Sequence, residues 1–197
     1  QEEDNAWFDA WKASGIDQEV FVPYFSQLDN KIGVPGRQCF SSAAAMVAAF
    51  YKKVKTDDEY NAIRVKYGDT TSVNAQVQTL RSLGLNAEFR KDGDSDLIEL
   101  EIERGRPVLV GWLHHGDVLK GEAPQGGHWS LISGYAGKYS NDPEWIMQDP
   151  RGLPDMIRGG HKNAHRGRNA RVRQSEFYPR WSVDGPKTGW VILVDDL

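Results

Sequence analysis

The chain has 197 residues, one cysteine (Cys39), 39% hydrophobic and 26% charged residues, and 24 Lys+Arg against 28 Asp+Glu, a formal net charge of -4. That length suits one domain with a substantial core. A single cysteine excludes an intramolecular disulfide framework and any multi-cysteine zinc or iron–sulfur site within the chain, and the slight acidity argues against a general nucleic-acid binder.

No membrane span is expected: the longest apolar run, residues 43–51, is about half of the ~18 residues a membrane helix needs. The first thirty residues carry Lys12 as their only basic residue, which is not the pattern of a secretory signal. A start at Gln1 rather than Met reads as a processed or trimmed form.

Residues 1–19 form an acidic N-terminal extension in which Trp7, Phe8 and Trp11 fall at the spacing of a short amphipathic helix, with a disordered leader as the alternative. Residues 20–197 are read as one domain. Residues 20–25 suit a short extended segment with Pro23 at its edge, and 26–38, with Asp29-Asn30, Gly33 and Pro35-Gly36, a loop. A helix starts around residues 39–42, capped by Ser41 or Ser42, and its alanine-rich body predicts burial. A second helix begins at Thr56, with Asp57, Asp58 and Glu59 at the positive end of its dipole, and ends at Gly68. A third spans 73–83 and stops at Gly84.

The second half changes character. A short strand at 87–90 and a helix at 96–104 precede strands at 107–113, 128–135, 144–149 and 190–194. Helices first and a mostly antiparallel sheet afterwards is an α+β pattern. Residues 158–173 hold six basic residues and no acidic one. A solvated, mobile loop is the expectation there. A lid or anionic-ligand contact, and pairing with the acidic N-terminal segment, are the alternatives.

Cys39 precedes the alanine-rich helix, where backbone N–H groups and the helix dipole favour a thiolate. A packed core cysteine is the competing reading. Among five histidines, His128 follows Gly126-Gly127 and opens a strand, which gives its ring access and leaves room for a substrate backbone; His114 and His115 are less constrained. His161 and His165 lie at i, i+4, but neighbouring glycines oppose the helix that zinc ligation at this spacing requires, so no metal and no cofactor are expected. Asp149 is the candidate for orienting the imidazole: a hairpin turning near residues 138–139 sets it opposite His128. A plain turn carboxylate before Pro150 is the alternative. Gln27 offers an amide N–H for an oxyanion, joined by the backbone N–H of Cys39, with a solvated loop glutamine as the alternative. Ser130 lacks a nucleophile-elbow context, and no glycine-rich phosphate motif is present.

With Gln27, Cys39, His128 and Asp149 assembled, the sequence resembles the papain-like cysteine peptidases of the double-glycine (bacteriocin-processing) family and their stand-alone relatives. The stretches that carry the likeness are Val22-Pro-Tyr-Phe-Ser-Gln-Leu-Asp-Asn30, Arg37-Gln-Cys-Phe-Ser-Ser-Ala-Ala-Ala-Met46, Leu80-Arg-Ser-Leu-Gly-Leu85, Gly105-Arg-Pro-Val-Leu-Val-Gly-Trp112, Gly126-Gly-His-Trp-Ser-Leu-Ile-Ser-Gly-Tyr135 and Gln148-Asp-Pro-Arg-Gly152. Together they span residues 20–152, and the Cys-Phe-Ser-Ser version is most similar to members encoded by tailed bacteriophages.

The resemblance implies a papain-like fold, with a helical N-terminal half on a mostly antiparallel sheet. It makes Cys39 the nucleophile, His128 the general base and then acid, Asp149 the orienter and Gln27 the oxyanion donor. The implied activity is hydrolysis of a peptide or amide bond through an acyl-thioester. The substrate would be a peptide, a protein or the peptide part of peptidoglycan, and the phage likeness points to a lysin or a processing peptidase. A soluble, virion-associated or cell-wall-acting protein follows from the same likeness. A catalytically silent peptide- or glycan-binding module and an acyl transferase are the rival readings. No transporter segment is present, so cleavage coupled to export is not implied, and the long basic loop and the tail at 174–197 are less familiar, so any specificity they encode is not inherited.

Overall fold

The computed structural model describes residues 15–31 and 35–196; the aromatic segment around Trp7 and Trp11 lies outside them. The described residues contain five α-helices: α1 (Cys39–Phe50), α2 (Asp57–Arg64), α3 (Val73–Ser82), α4 (Ser95–Glu103) and α5 (Gln174–Trp181). The strands are β1 (Ile16–Glu19), β2 (Asn86–Gly93), β3 (Val108–His115), β4 (Gln125–Ala136), β5 (Glu144–Gln148), β6 (Leu153–Pro154), β7 (His161–Asn163), β8 (Ala170–Arg173) and β9 (Gly189–Asp195). The main sheet runs β2-β9-β3-β4-β5-β8 with β1 added to the end of β4, and β6 and β7 form a separate ribbon. Its pairings are antiparallel.

Strand periodicity explains the layers. Val108, Val110, Ile132 and Val191 pack with Ile98 and Ile102 of α4 and Phe177 and Trp181 of α5. Their immediate neighbours Leu109, Leu131 and Ile192 pack instead with α1 and with Val77 and Leu80 of α3. Successive side chains point to opposite faces, so the sheet is covered on both sides and the Val-Leu-Val run of β3 is buried throughout. Residues 40–48 of α1 are all buried, and the alanines among them let the helix lie close against β4. Phe40 stacks on Trp129 of β4 with ring centroids 4.1 Å apart and planes 5° apart, fixing the start of α1 over that strand.

Several local expectations change. Helix α1 begins at Cys39 itself, and its N-cap, Gln38, makes no side-chain capping bond. Ser41 and Ser42 lie inside the helix, where Ser41 Oγ sits 2.7 Å from Thr70 Oγ1 and Ser42 Oγ donates to Asp57 Oδ2 at 3.3 Å. Buried partners from α2 and the turn before α3 compete for these hydroxyls, which is why they do not cap. Thr56 does cap α2, accepting from the Glu59 N–H at 3.1 Å, but the helix ends at Arg64 rather than Gly68. The extended segment at 20–25 is not itself a strand; pairing occurs just before it, in β1. The tail contributes α5 and β9, and β9 lies in the sheet interior between β2 and β3.

Candidate active site

Four loops and strands converge at the N-terminus of α1. Cys39, partly exposed, opens the helix. Hydrogen bonding to the His128 ring and from the Trp129 backbone N–H favours its thiolate. Burial opposes ionisation of the thiol, but the His128 charge and these two hydrogen bonds outweigh it, so Cys39 titrates below the ordinary thiol value.

His128 is buried, and its Nε2 lies 2.9 Å from both Asp149 Oδ1 and Asp149 Oδ2. Burial works against the charged ring, yet Asp149 on one side and Cys39 on the other raise its pKa to about 10. The carboxyl of Asp149 is buried too, and the charges of His128 and His161 hold it well below the usual carboxylate range. The three side chains form a relay in which Asp149 holds His128 Nε2 and the His128 charge acts on the Cys39 thiol.

The expected β4–β5 hairpin is present with a different register. Leu131 faces Gln148 and Ile132 faces Met147, so continuation of the ladder sets Asp149 opposite Ser130 rather than His128. A shift of two residues keeps the same face of the strand. Asp149 therefore reaches both side chains, and Ser130 Oγ donates to its Oδ2 at 2.9 Å. Trp112, paired with His128 on β3, donates from Nε1 to Ser130 Oγ at 3.0 Å and sets its ring edge-on to His128 at 5.3 Å. The His114 ring stacks on His128 at 4.6 Å with planes 13° apart. Burial, followed by the adjacent His128 charge, drives the His114 pKa far down, so it is a neutral neighbour.

Gln27 is fully buried in a 3-10 turn packed against α1. Its backbone N–H donates to Pro150 O at 2.9 Å and its Nε2 to Pro35 O at 3.0 Å, which leaves the second Nε2 hydrogen for another acceptor. Tyr24 Oη donates to Asp149 O at 2.7 Å. Loop 24–27 is thus tied directly to the Asp149-Pro150 turn.

The basic stretch at 158–173 is not a solvated loop. It supplies β7 and β8, and Gly167 O accepts the Asp149 N–H at 2.8 Å. Asn169 exchanges hydrogen bonds with Gln148, its N–H donating to Gln148 Oε1 at 3.0 Å. Two of its arginines pair with acidic groups of the β4–β5 hairpin, Arg171 with Glu144 at 2.9 Å and Arg173 with Asp142 at 3.1 Å. His161, set aside above as part of a glycine-rich loop, is brought by β7 to within 3.1 Å of Asp149 Oδ1. A two-residue β6 paired with β7 leaves no periodic signal, so nothing in the sequence pattern announced that approach. Ser130, without the setting of a nucleophile, stands at i+2 from His128 and so on the same strand face.

Beside His128 is a cavity of about 150 Å³, lined among others by Gly111, Gly127, Trp129, Trp181 and Trp190. No described helix is long and apolar enough to cross a membrane.

No curated protein matches the chain. The structure is similar to a double-glycine motif protease from an AMS/PCAT transporter, solved in complex with the leader peptide, at 18% identity and a TM-score of 0.52, covering 90% of this chain and 94% of that one. It is similar to the peptidase domain of Streptococcus ComA, a bifunctional ABC transporter involved in quorum sensing, at 17% identity and a TM-score of 0.52, covering 91% and 98%. A protein described as a C39-like peptidase from Bacillus anthracis matches at 12% identity with a TM-score of 0.58, covering 91% and 98%. These likenesses show the papain-like α+β fold. The family model described as Peptidase_C39 like matches residues 20–156, more than half of the chain. Family and fold together support a cysteine peptidase, and the chain belongs to the Peptidase_C39-like family.

Proposed function

We propose that the protein is a cysteine peptidase or amidase that cleaves through an acyl-thioester on Cys39. The observation that carries this reading is the buried relay in which Asp149 holds His128 Nε2 at 2.9 Å and the charged ring acts on the Cys39 thiol. His128 takes the thiol proton, and the thiolate attacks the substrate carbonyl. The oxyanion that forms accepts the free Nε2 hydrogen of Gln27 and the backbone N–H of Cys39. His128 then returns the proton to the leaving amine. Water, deprotonated by the same ring, releases the acyl group. Asp149 keeps its charge throughout and fixes the ring's tautomer and direction.

The glycines and tryptophans of the cavity beside His128 suit an apolar side chain of the substrate. One structural neighbour was solved with a leader peptide, which supports a peptide substrate here. The phage-type resemblance makes peptidoglycan stem or cross-bridge peptides one substrate class and a viral or host protein the other, at the cell wall or with the virion. The test is incubation with purified peptidoglycan and with a peptide library, read by mass spectrometry, with Cys39→Ala as control. New termini that disappear in Cys39→Ala support the proposal; cleavage that persists in that variant ends it.

A further inference from the structure

We infer that His128, Asp149 and His161 form a Zn2+ site whose occupation switches the thiol off. The inference rests on the peptidase reading for its consequence but not for the binding itself. One ligand atom from each residue can be chosen so that all lie within 4.8 Å of one another. Asp149 is at the centre, with His128 Nε2 at 2.9 Å and His161 Nε2 at 3.1 Å from its carboxylate oxygens.

The second observation is His161 itself. Its side chain is 5% exposed, and neither ring nitrogen makes a hydrogen bond. Nε2 is close to Asp149 Oδ1, but the approach lacks hydrogen-bond geometry. Buried polar atoms are nearly always satisfied, so an imidazole whose Nδ1 has no partner and whose Nε2 meets the buried carboxylate only as an ion pair is equipped for a ligand. Two imidazoles and one carboxylate are a set Zn2+ accepts, at bond lengths of about 2.0–2.2 Å with water in the fourth position. Tetrahedral bonds of that length put donor atoms about 3.3 Å apart. The Asp149 contacts already approach this spacing, and the remaining imidazole pair needs only to close.

The ribbon that carries His161 is anchored at its start, where the Gly160 N–H donates to His114 O at 2.6 Å, and is exposed beyond it. β7 follows Gly159 and Gly160, both in the left-handed region at φ 82° and 72°, and a side chain at Gly160 would meet nothing within 4 Å. Lys162 and Asn163 beside His161 are exposed, so the ribbon opens to solvent.

Binding takes Nε2 of His128 from Asp149. The Nε2 proton leaves to solvent as the nitrogen–zinc bond forms, and nothing is oxidised or reduced. Asp149 then ligates the ion instead of orienting the ring, and His128 is withdrawn from proton transfer with Cys39.

The experiment is calorimetric titration of metal-free full-length chain with ZnCl2, in the wild type and in Cys39→Ala, which removes the competing thiolate. Cys39→Ala should bind one equivalent. His161→Asn and His161→Gln in that background should each weaken binding by at least the ~10-fold typical of disturbing a metal ligand's surroundings, with His165→Ala as unchanged control and thermal melting to confirm folding. Loss of binding in Cys39→Ala, or equal affinity in folded His161 variants, overturns the site while leaving the peptidase reading intact. If the chain cleaves peptides, Zn2+ should inhibit wild type reversibly, and each His161 variant should need about tenfold more zinc. Zinc binding that depends on His161 in a chain without peptidase activity would uphold the site and count against the peptidase reading alone.

Discussion

Ser130 holds Asp149 in place: its Oγ donates to Asp149 Oδ2 at 2.9 Å while accepting from Trp112 Nε1 at 3.0 Å. The hydroxyl therefore links the relay to the adjacent strand, and the Arg151 N–H completes the cage at Asp149 Oδ1 at 2.9 Å. Ser130→Ala leaves a buried indole N–H without an acceptor, at about 1–3 kcal/mol of stability. It also frees Asp149 to shift, and a misplacement of about an ångström costs up to ~100-fold in kcat. Melting curves and cleavage kinetics should both fall, with KM nearly unchanged.

Gln27 supplies the oxyanion hydrogen in the proposed mechanism. Gln27→Ala should lower kcat by roughly 10²–10³-fold, the cost of one such donor, with a small change in KM. Gln27→Glu keeps the shape but presents an acceptor to a developing negative charge, so it should be at least as slow. A KM effect without a kcat effect would assign Gln27 to substrate binding.

Gly167 is irreplaceable by space. A Cβ there would overlap Asp149 O and Tyr24 Oη. Gly167→Ala must push the Asp149-Pro150 turn away from Tyr24, at about 1–3 kcal/mol for overpacking and with loss of cleavage. Gly36→Ala, whose Cβ meets nothing within 4 Å, is the control expected to melt like wild type.

Arg180 secures the strand that ends at the site. Buried at 1% exposure, it donates to Met156 O at 2.8 Å, Leu113 O at 3.3 Å, His115 O at 2.9 Å and Gly116 O at 2.7 Å. Arg180→Met fills much of the volume but leaves these carbonyls without their donor, so unfolding free energy should drop by about 3 kcal/mol or more. Urea denaturation measures it directly.

Helices α1 to α4 and strands β2, β3, β4, β5 and β9 were legible because each leaves a local mark. Helix α1 has its alanine run, α2 has Thr56 ahead of three acids, and β3 has an apolar run bounded by Pro107. What stayed hidden depends on contacts distant in sequence. Register at Asp149 differs by two residues because the hairpin turns about residue 140 rather than 138–139, an offset of three that the β4 bulge between Ile132 and Gly134 reduces by one. The arginines of 158–173 suggested solvent, yet Ala170 and Val172 between them are the buried face of β8. Composition outweighed a period-2 pattern only a few residues long.

The central claim is that His128 makes Cys39 a thiolate, and the rate of Cys39 alkylation by iodoacetamide against pH tests it most directly. Because the thiol titrates below its ordinary value and His128 is raised to about 10, the ion pair occupies the window between them. Alkylation should rise on a limb centred below the ~8.5 of a free thiol, and cleavage should fall again near pH 10 as His128 loses its proton. In His128→Ala the limb should move upward, since burial is then opposed only by the Trp129 N–H. A wild-type limb at the free-thiol position, unmoved in His128→Ala, would contradict the account.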